Sequence, residues 1–253
     1  MKMHLLSGGR LRMRKSVYLP YAERGETIDL PVSCVLLRHR QGNVLFDTGC
    51  HPGTVRDAAA RWGSLARAMV PIGAADDNVI DGLAALGLQP QDIDVVVNSH
   101  FHSDHCGCNE FFGRATLVCH AREIEAAQAP DALQKGYVAA DWQHPLPTDA
   151  IEAERDLFGD GRIVLLPLPG HTEGTLGALV ALERDGRFLL AADAAALREG
   201  LERELIPRNT WNPELAAGSL QEIRRIQASG AEVLFGHDLQ QWQGLRKGAQ
   251  AYE

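Results

Sequence analysis

The chain lacks any apolar stretch approaching the roughly 18 residues of a membrane span, so no membrane partner is expected. The apolar run within Met1–Arg10 is too short for a secretory signal peptide, and the protein is expected to be cytoplasmic. A basic excess is also missing: 25 Lys and Arg stand against 33 Asp and Glu, a formal net charge of -8. A nucleic-acid partner requires a basic surface, so none is expected. Cysteine is sparse, and the five present (Cys34, Cys50, Cys106, Cys108, Cys119) are an odd number without regular spacing. That argues against a disulfide framework and for reduced thiols. There is no internal repeat and no low-complexity tract. What remains is an ordinary globular composition, 45% hydrophobic and 23% charged, with ample apolar material for a core.

Against this plain background the stretch Ser99-His100-Phe101-His102-Ser103-Asp104-His105-Cys106-Gly107 stands out, with three imidazoles and a carboxylate within His100–His105. Alternation lets His100 and His102 point the same way, while Asp104 and His105 lie past a turn and reach a second point nearby. The preceding Ile93–Val97 reads as a short buried strand, so the cluster sits where a strand runs out into a loop. A histidine-rich surface loop is the bland alternative, but structural need alone seldom gathers these ligand types at this spacing. Cys106 and Cys108 adjoin the cluster and are read as small buried thiols rather than ligands.

Two adjacent half-sites need more ligands, and the chain offers three candidates with a common grammar. His171 follows the apolar run Ile163–Leu168 and a Pro-Gly breaker, Asp193 closes Arg187–Ala192, and His237 follows Glu232–Gly236. Each is a ligand type at the end of an apolar strand, where a carboxylate needs a cation or several donors.

This ordered set resembles the metallo-β-lactamase superfamily: HxHxDH, a histidine after Pro-Gly, a strand-end aspartate and a histidine near the C-terminus. The likeness begins at Asp47-Thr48-Gly49 and covers almost the whole chain. It implies that His100, His102 and His171 hold one metal, that Asp104, His105 and His237 hold the other, and that Asp193 bridges the two. The ligand set, nitrogen and carboxylate without thiolate, suits two zinc ions, and manganese, iron or cobalt can also occupy it. Paired metals generate hydroxide at neutral pH and polarise the bond it attacks, so hydrolysis is the expected chemistry, with Asp104 also orienting the nucleophile.

Softer features narrow the resemblance. Asp92–His102, the turn Asp47–Pro52 and the ending Leu234–Asp238 look like the N-acyl homoserine lactonase group. This implies ring opening of a small lactone, with quorum-signal lactones foremost. One departure stands against it: such lactonases commonly carry a tyrosine three residues after the bridging aspartate, where this chain has Ala196. Water or another side chain, Tyr137 among them, takes that role, or the substrate differs. A thioesterase of the glyoxalase II type is the main alternative, and it needs a basic patch for which Arg246-Lys247 is the sole candidate. An iron-dependent redox enzyme and a non-catalytic metal protein are further rivals.

Apolar runs at Val32–Leu37, Val44–Phe46, Ile93–Val97, Thr116–Cys119, Ile163–Leu168, Thr175–Leu182, Phe188–Ala192 and Val233–Phe235 predict strands. Asn78–Gly87 reads as a helix ending on glycine, and Asn212-Pro213 opens another that runs to Ala228. The order suits an α+β fold, an αββα sandwich of two mixed β-sheets flanked by helices. Ligands from His100 to His237 must converge, so residues 1–253 are expected to form a single hydrolase domain. The region from Gln128 to Gly161 reads as the least regular, with Tyr137, Trp142 and Phe158 either packing together or walling a pocket.

Overall fold

Strands that are apolar on both faces need a covering layer on each side, and the computed structural model, which describes residues Met1–Glu253, supplies them. β1 (Lys2–Arg14), β2 (Thr27–His39) and β3 (Gly42–Phe46) pair antiparallel in succession, and β4 (Val70–Pro71) lies along β1. β5 (Val95–Val97), β6 (Thr116–His120) and β7 (Thr148–Ile151) extend the sheet in parallel from β3, giving seven strands. The second sheet has five: β8 (Arg155–Asp156), β9 (Ile163–Pro167), β10 (Leu176–Ala181) and β11 (Arg187–Ala192) run antiparallel, and β12 (Ala231–Phe235) is parallel to β11.

The alternation of side chains along these strands explains the layering. Val35, Leu37, Val44, Phe46 and Val97 point into the space between the sheets and meet Ile163, Leu165, Val180, Phe188, Leu190 and Leu234. Their neighbours Leu36, Leu45 and Val96 point outward with Val79, Leu83, Ala126 and Ala127 of two helices, Val79–Ala85 and Ala121–Gln128. On the far side Leu189, Ala191, Val233 and Phe235 meet Leu220, Ile223 and Ile226 of the helix Pro213–Ala228. Both long-range helix expectations hold at their caps: the Asn78 side chain accepts from Asp81 N–H, and that of Asn212 from Glu214 and Leu215 N–H. No helix is long and apolar enough to cross a membrane.

Some strands escaped the sequence reading. β1 is rich in Lys and Arg and is interrupted by Gly8-Gly9, where its register against β2 shifts between Ser7 and Arg10. The interruption has a use. A Cβ on Gly49 (φ 73°) would sit 2.4 Å from Gly8 Cα, so paired glycines let the turn after β3 press against β1. β7 and β8 are short pieces within the region expected to be irregular.

β3, β5, β9, β11 and β12 run in one sense, and all five end at the same edge of the sandwich. The loops leaving that edge carry Asp47, His100–His105, His171, Asp193 and His237, and Leu176 N–H donates to Ser99 O across the sheets at 2.8 Å.

Candidate metal centre

All seven residues singled out in the sequence meet at this edge. His102 Nδ1 lies 3.0 Å from His100 Nε2 and 3.0 Å from His171 Nε2. His237 Nε2 is 2.9 Å from Asp193 Oδ1 and 3.5 Å from Asp104 Oδ2, and His105 Nε2 is 3.4 Å from Asp193 Oδ1. Asp193 Oδ2 reaches His171 Nε2 at 3.4 Å, so one carboxylate touches both halves. The ligand atoms fall into three overlapping groups: His100, His102 and His171; His100, His105 and Asp193; Asp104, His105 and His237. None contains a cysteine, and Cys106 and Cys108 instead donate to the Phe101 and Cys50 carbonyls.

The outward-facing nitrogens decide what the inward ones can do. His105 Nδ1–H donates to Asp47 Oδ2 at 2.8 Å, His237 Nδ1–H to Pro31 O at 2.9 Å and His102 Nε2–H to Lys135 O at 3.0 Å. The Ser99 hydroxyl donates to Asp47 Oδ2, so its oxygen is free to accept from His100 Nδ1–H at 3.0 Å. Four imidazoles are thus held in the tautomer that turns a bare lone pair toward the cluster, as second partners of metal ligands do. Two bare nitrogens 3.0 Å apart share no proton and repel; around a cation, an edge of a tetrahedral shell with bonds of about 2.0 Å measures roughly 3.3 Å. His105 Nε2, His237 Nε2 and Asp193 Oδ1 are buried without a hydrogen-bond partner. These orphaned atoms fit divalent metal ions.

Electrostatics makes the same demand. Burial, reinforced by the neighbouring imidazoles, holds His100 well below the ordinary histidine range, and burial holds His171 down at about 3. For His105 burial also works downward, but Asp104, Asp47 and Asp193 outweigh it and raise the group. Burial opposes ionisation of Asp193, yet His237, His171 and His105 keep its carboxyl well below the usual range. The carboxylates therefore draw positive charge into the pocket, as a proton on His105 or as a metal ion.

Several supporting residues lie outside the ligand set. Asp47 follows β3 with φ 59°, and besides His105 its carboxylate accepts from Ser99 N–H and Oγ. Glu123, fully buried, accepts from Phe101 N–H at 2.9 Å, Thr172 Oγ at 2.7 Å and Gly174 N–H at 3.0 Å. It ties the His100–His102 loop to the His171 loop. A signal for it existed: Glu123 lies three and four residues before buried Ala126 and Ala127, a charge on the apolar face of its helix. Ala192, just before Asp193, is held at φ 45°, and a Cβ on Gly170 would lie 2.3 Å from Ala216 N.

A cleft of about 240 Å³ opens over His102, Asp104 and Asp193. Met13, Val17, Tyr18, Leu65 and Met69 wall it, with Gln134, Lys135 and Asn209 also on the lining. Tyr137, considered for the role left open at Ala196, does not line this cleft: its ring tilts against His102 with centroids 5.3 Å apart, in a separate hollow with His171 and Thr172, where burial and then the Glu123 carboxylate raise its phenol. Ala196 is buried behind the cleft lining, in one apolar cluster with Tyr18, Leu197 and Val138.

Fold and site together define a class, and the chain belongs to the metallo-beta-lactamase superfamily, whose family model matches residues 27–246. Among curated proteins it is 35% identical to the N-acyl homoserine lactonase AiiB of Agrobacterium fabrum, over 89% of this chain and 86% of that one. It is 28% identical to the N-acyl homoserine lactonase AttM of Azorhizobium caulinodans, over 100% of this chain and 98% of the relative. Among solved structures, an N-acyl homoserine lactone hydrolase with the product N-hexanoyl-L-homoserine at its catalytic metal centre superposes with TM-score 0.90 at 26% identity, over 99% of this chain and 98% of that one.

Proposed function

We propose that this protein is a metal-dependent hydrolase of a single domain that opens lactone rings, with N-acyl homoserine lactones as the substrate class. The carrying observation is the convergence of seven ligand-type residues, with four imidazoles locked in the metal-binding tautomer, at the floor of an apolar-walled cleft. The lactonase activity of relatives similar over most or all of the chain supports the substrate class.

His100, His102 and His171 would hold one ion and Asp104, His105 and His237 the other, with Asp193 between them. Zinc is the preferred metal, since the donors are nitrogen and carboxylate oxygen. When bound, such a pair supplies Lewis acidity toward the ester carbonyl and hydroxide at neutral pH. The chain's own groups do the rest. Asp104, at the cleft floor, orients the nucleophile and takes up its proton, while Asp47 and Glu123 keep the ligand loops in register. Met13, Val17, Leu65 and Met69 exclude water from one flank and offer an apolar surface to an acyl chain.

The thioesterase alternative loses its basic patch. Arg246 is spent on Asp185 and the face of Tyr252, and Lys247 Nζ donates to the Trp242 and Leu245 carbonyls. A cytoplasmic location is part of the same proposal, supported by five free cysteines, all buried. A panel of acyl homoserine lactones, simple lactones, thioesters and phosphotriesters offered to metal-loaded protein tests the reading. Acyl homoserine lactones should give the highest kcat/KM; preference for a thioester by tenfold or more would overturn it.

A further inference from the structure

The chain has four tyrosines, and three are committed away from the cleft or to other partners. Tyr21 donates to Glu199 Oε1 at 2.6 Å on the surface. Tyr252 accepts from Arg246 N–H and pairs with Met3 on β1. Tyr137 lines a separate hollow with His102, His171 and Thr172. Tyr18 is different. It ends the short helix Lys15–Tyr18 after β1, and its side chain lines the cleft together with His102, Asp104 and Asp193. Its ring stands edge-on to His237, with centroids 6.0 Å apart.

The Tyr18 hydroxyl has one partner, the Met13 thioether at 3.5 Å. Thioether sulfur is a weak acceptor, so a phenol only 3% exposed gives up most of its hydrogen bonding to water without replacement. An oxygen entering the cleft would restore it. Room for the ring comes from Ala196, which shares both an apolar cluster and a small cavity with Tyr18. The residue three positions after Asp193 is small, and the phenol reaches the cleft from another element.

We propose that Tyr18 is a catalytic residue of this site, donating its hydroxyl hydrogen to the ester carbonyl oxygen of the bound lactone as that oxygen gains negative charge. This rests on the lactonase reading. In the reaction the water oxygen bonds to the carbonyl carbon, the ring C–O bond breaks, and the departing ring oxygen takes a proton. Tyr18 keeps its own proton throughout. A phenol carries its hydrogen at neutral pH, so Tyr18 is a donor there. Because the bond strengthens with developing charge, its removal should cost kcat more than KM.

The test is Tyr18→Phe, which removes one oxygen and keeps the ring. With metal content and unfolding midpoint equal to the parent's, kcat on N-hexanoyl homoserine lactone should fall between about tenfold and a thousandfold, with KM within about threefold. A kcat within twofold of the parent overturns the proposal. So does loss of metal in the variant, which would make Tyr18 a structural support. The parent separates the two readings. If it opens thioesters but no lactone, the lactonase reading falls and the same comparison decides Tyr18 on the thioester; a parent inactive on both overturns both.

Discussion

Asp47 and Asp193 are both carboxylates that close a strand, yet their surroundings give them opposite tasks. Asp47 is filled by donors from Ser99 and His105, whereas Asp193 keeps an unpartnered oxygen facing the cluster. Asp193→Ala or His102→Ala should therefore abolish turnover and lower bound metal, as metal analysis and assay would register. Cys108→Ser should leave both nearly intact, because Cys108 only donates to the Cys50 carbonyl away from the cluster; metal loss there would contradict the ligand assignment. Ala196 is tested by overpacking. Ala196→Tyr drives a ring into the cluster that holds Tyr18 and should destabilise the protein by about 1–3 kcal/mol in urea unfolding. An equally stable variant would mean that the space described beside Tyr18 is open. At this scale, ligand types were legible because HxHxDH compresses them into one segment. Asp47, Glu123 and Tyr18 were not assigned their roles, since each acts through partners far away in the chain.

At the scale of elements, strands buried on both faces announced themselves as uninterrupted apolar runs, and the two capped helices by Asn78 and Asn212-Pro213. β1 hid because Gly8 serves a close approach of the turn after β3 while Arg10 and Arg12 pair with Asp77 and Asp29, requirements that exist only once the strands are side by side. The helix Ala121–Gln128 shows how an element outside the ligand set supports it. Glu123 accepts from both ligand-bearing loops, from Phe101 N–H on one and from the Thr172 hydroxyl and Gly174 N–H on the other. Glu123→Ala should weaken metal retention about 10–100-fold in competition with a chelator, the usual cost of losing a supporting partner. Unchanged retention would show that the two loops hold their positions without this tie.

For the whole molecule, the site couples stability to pH in the metal-free state. His100, His102 and His171 have lowered values, His171 at about 3, so below about 6.5 the unfolded chain binds protons that the folded chain refuses. Stability should fall with falling pH across that window, and further where Asp193 would have to protonate. His105 and His237 are raised; burial works against this, but facing carboxylates outweigh it, so above about 6.5 the folded state alone keeps those protons. Stability should decline again as pH rises through their folded values. Metal-free protein should thus be most stable near pH 6.5, and metal should remove the alkaline decline by taking the protons' place; a metal-free profile that climbs from pH 7 to 9 would contradict this balance. The central claim is that these seven residues hold a pair of ions that open a lactone, and one titration tests it most directly. Metal-free protein receives zinc in steps while acid release from N-hexanoyl homoserine lactone is followed. The account predicts activity that rises to a plateau at about two ions per chain and vanishes with excess chelator. Protein that binds two ions and releases no acid from any lactone would contradict it.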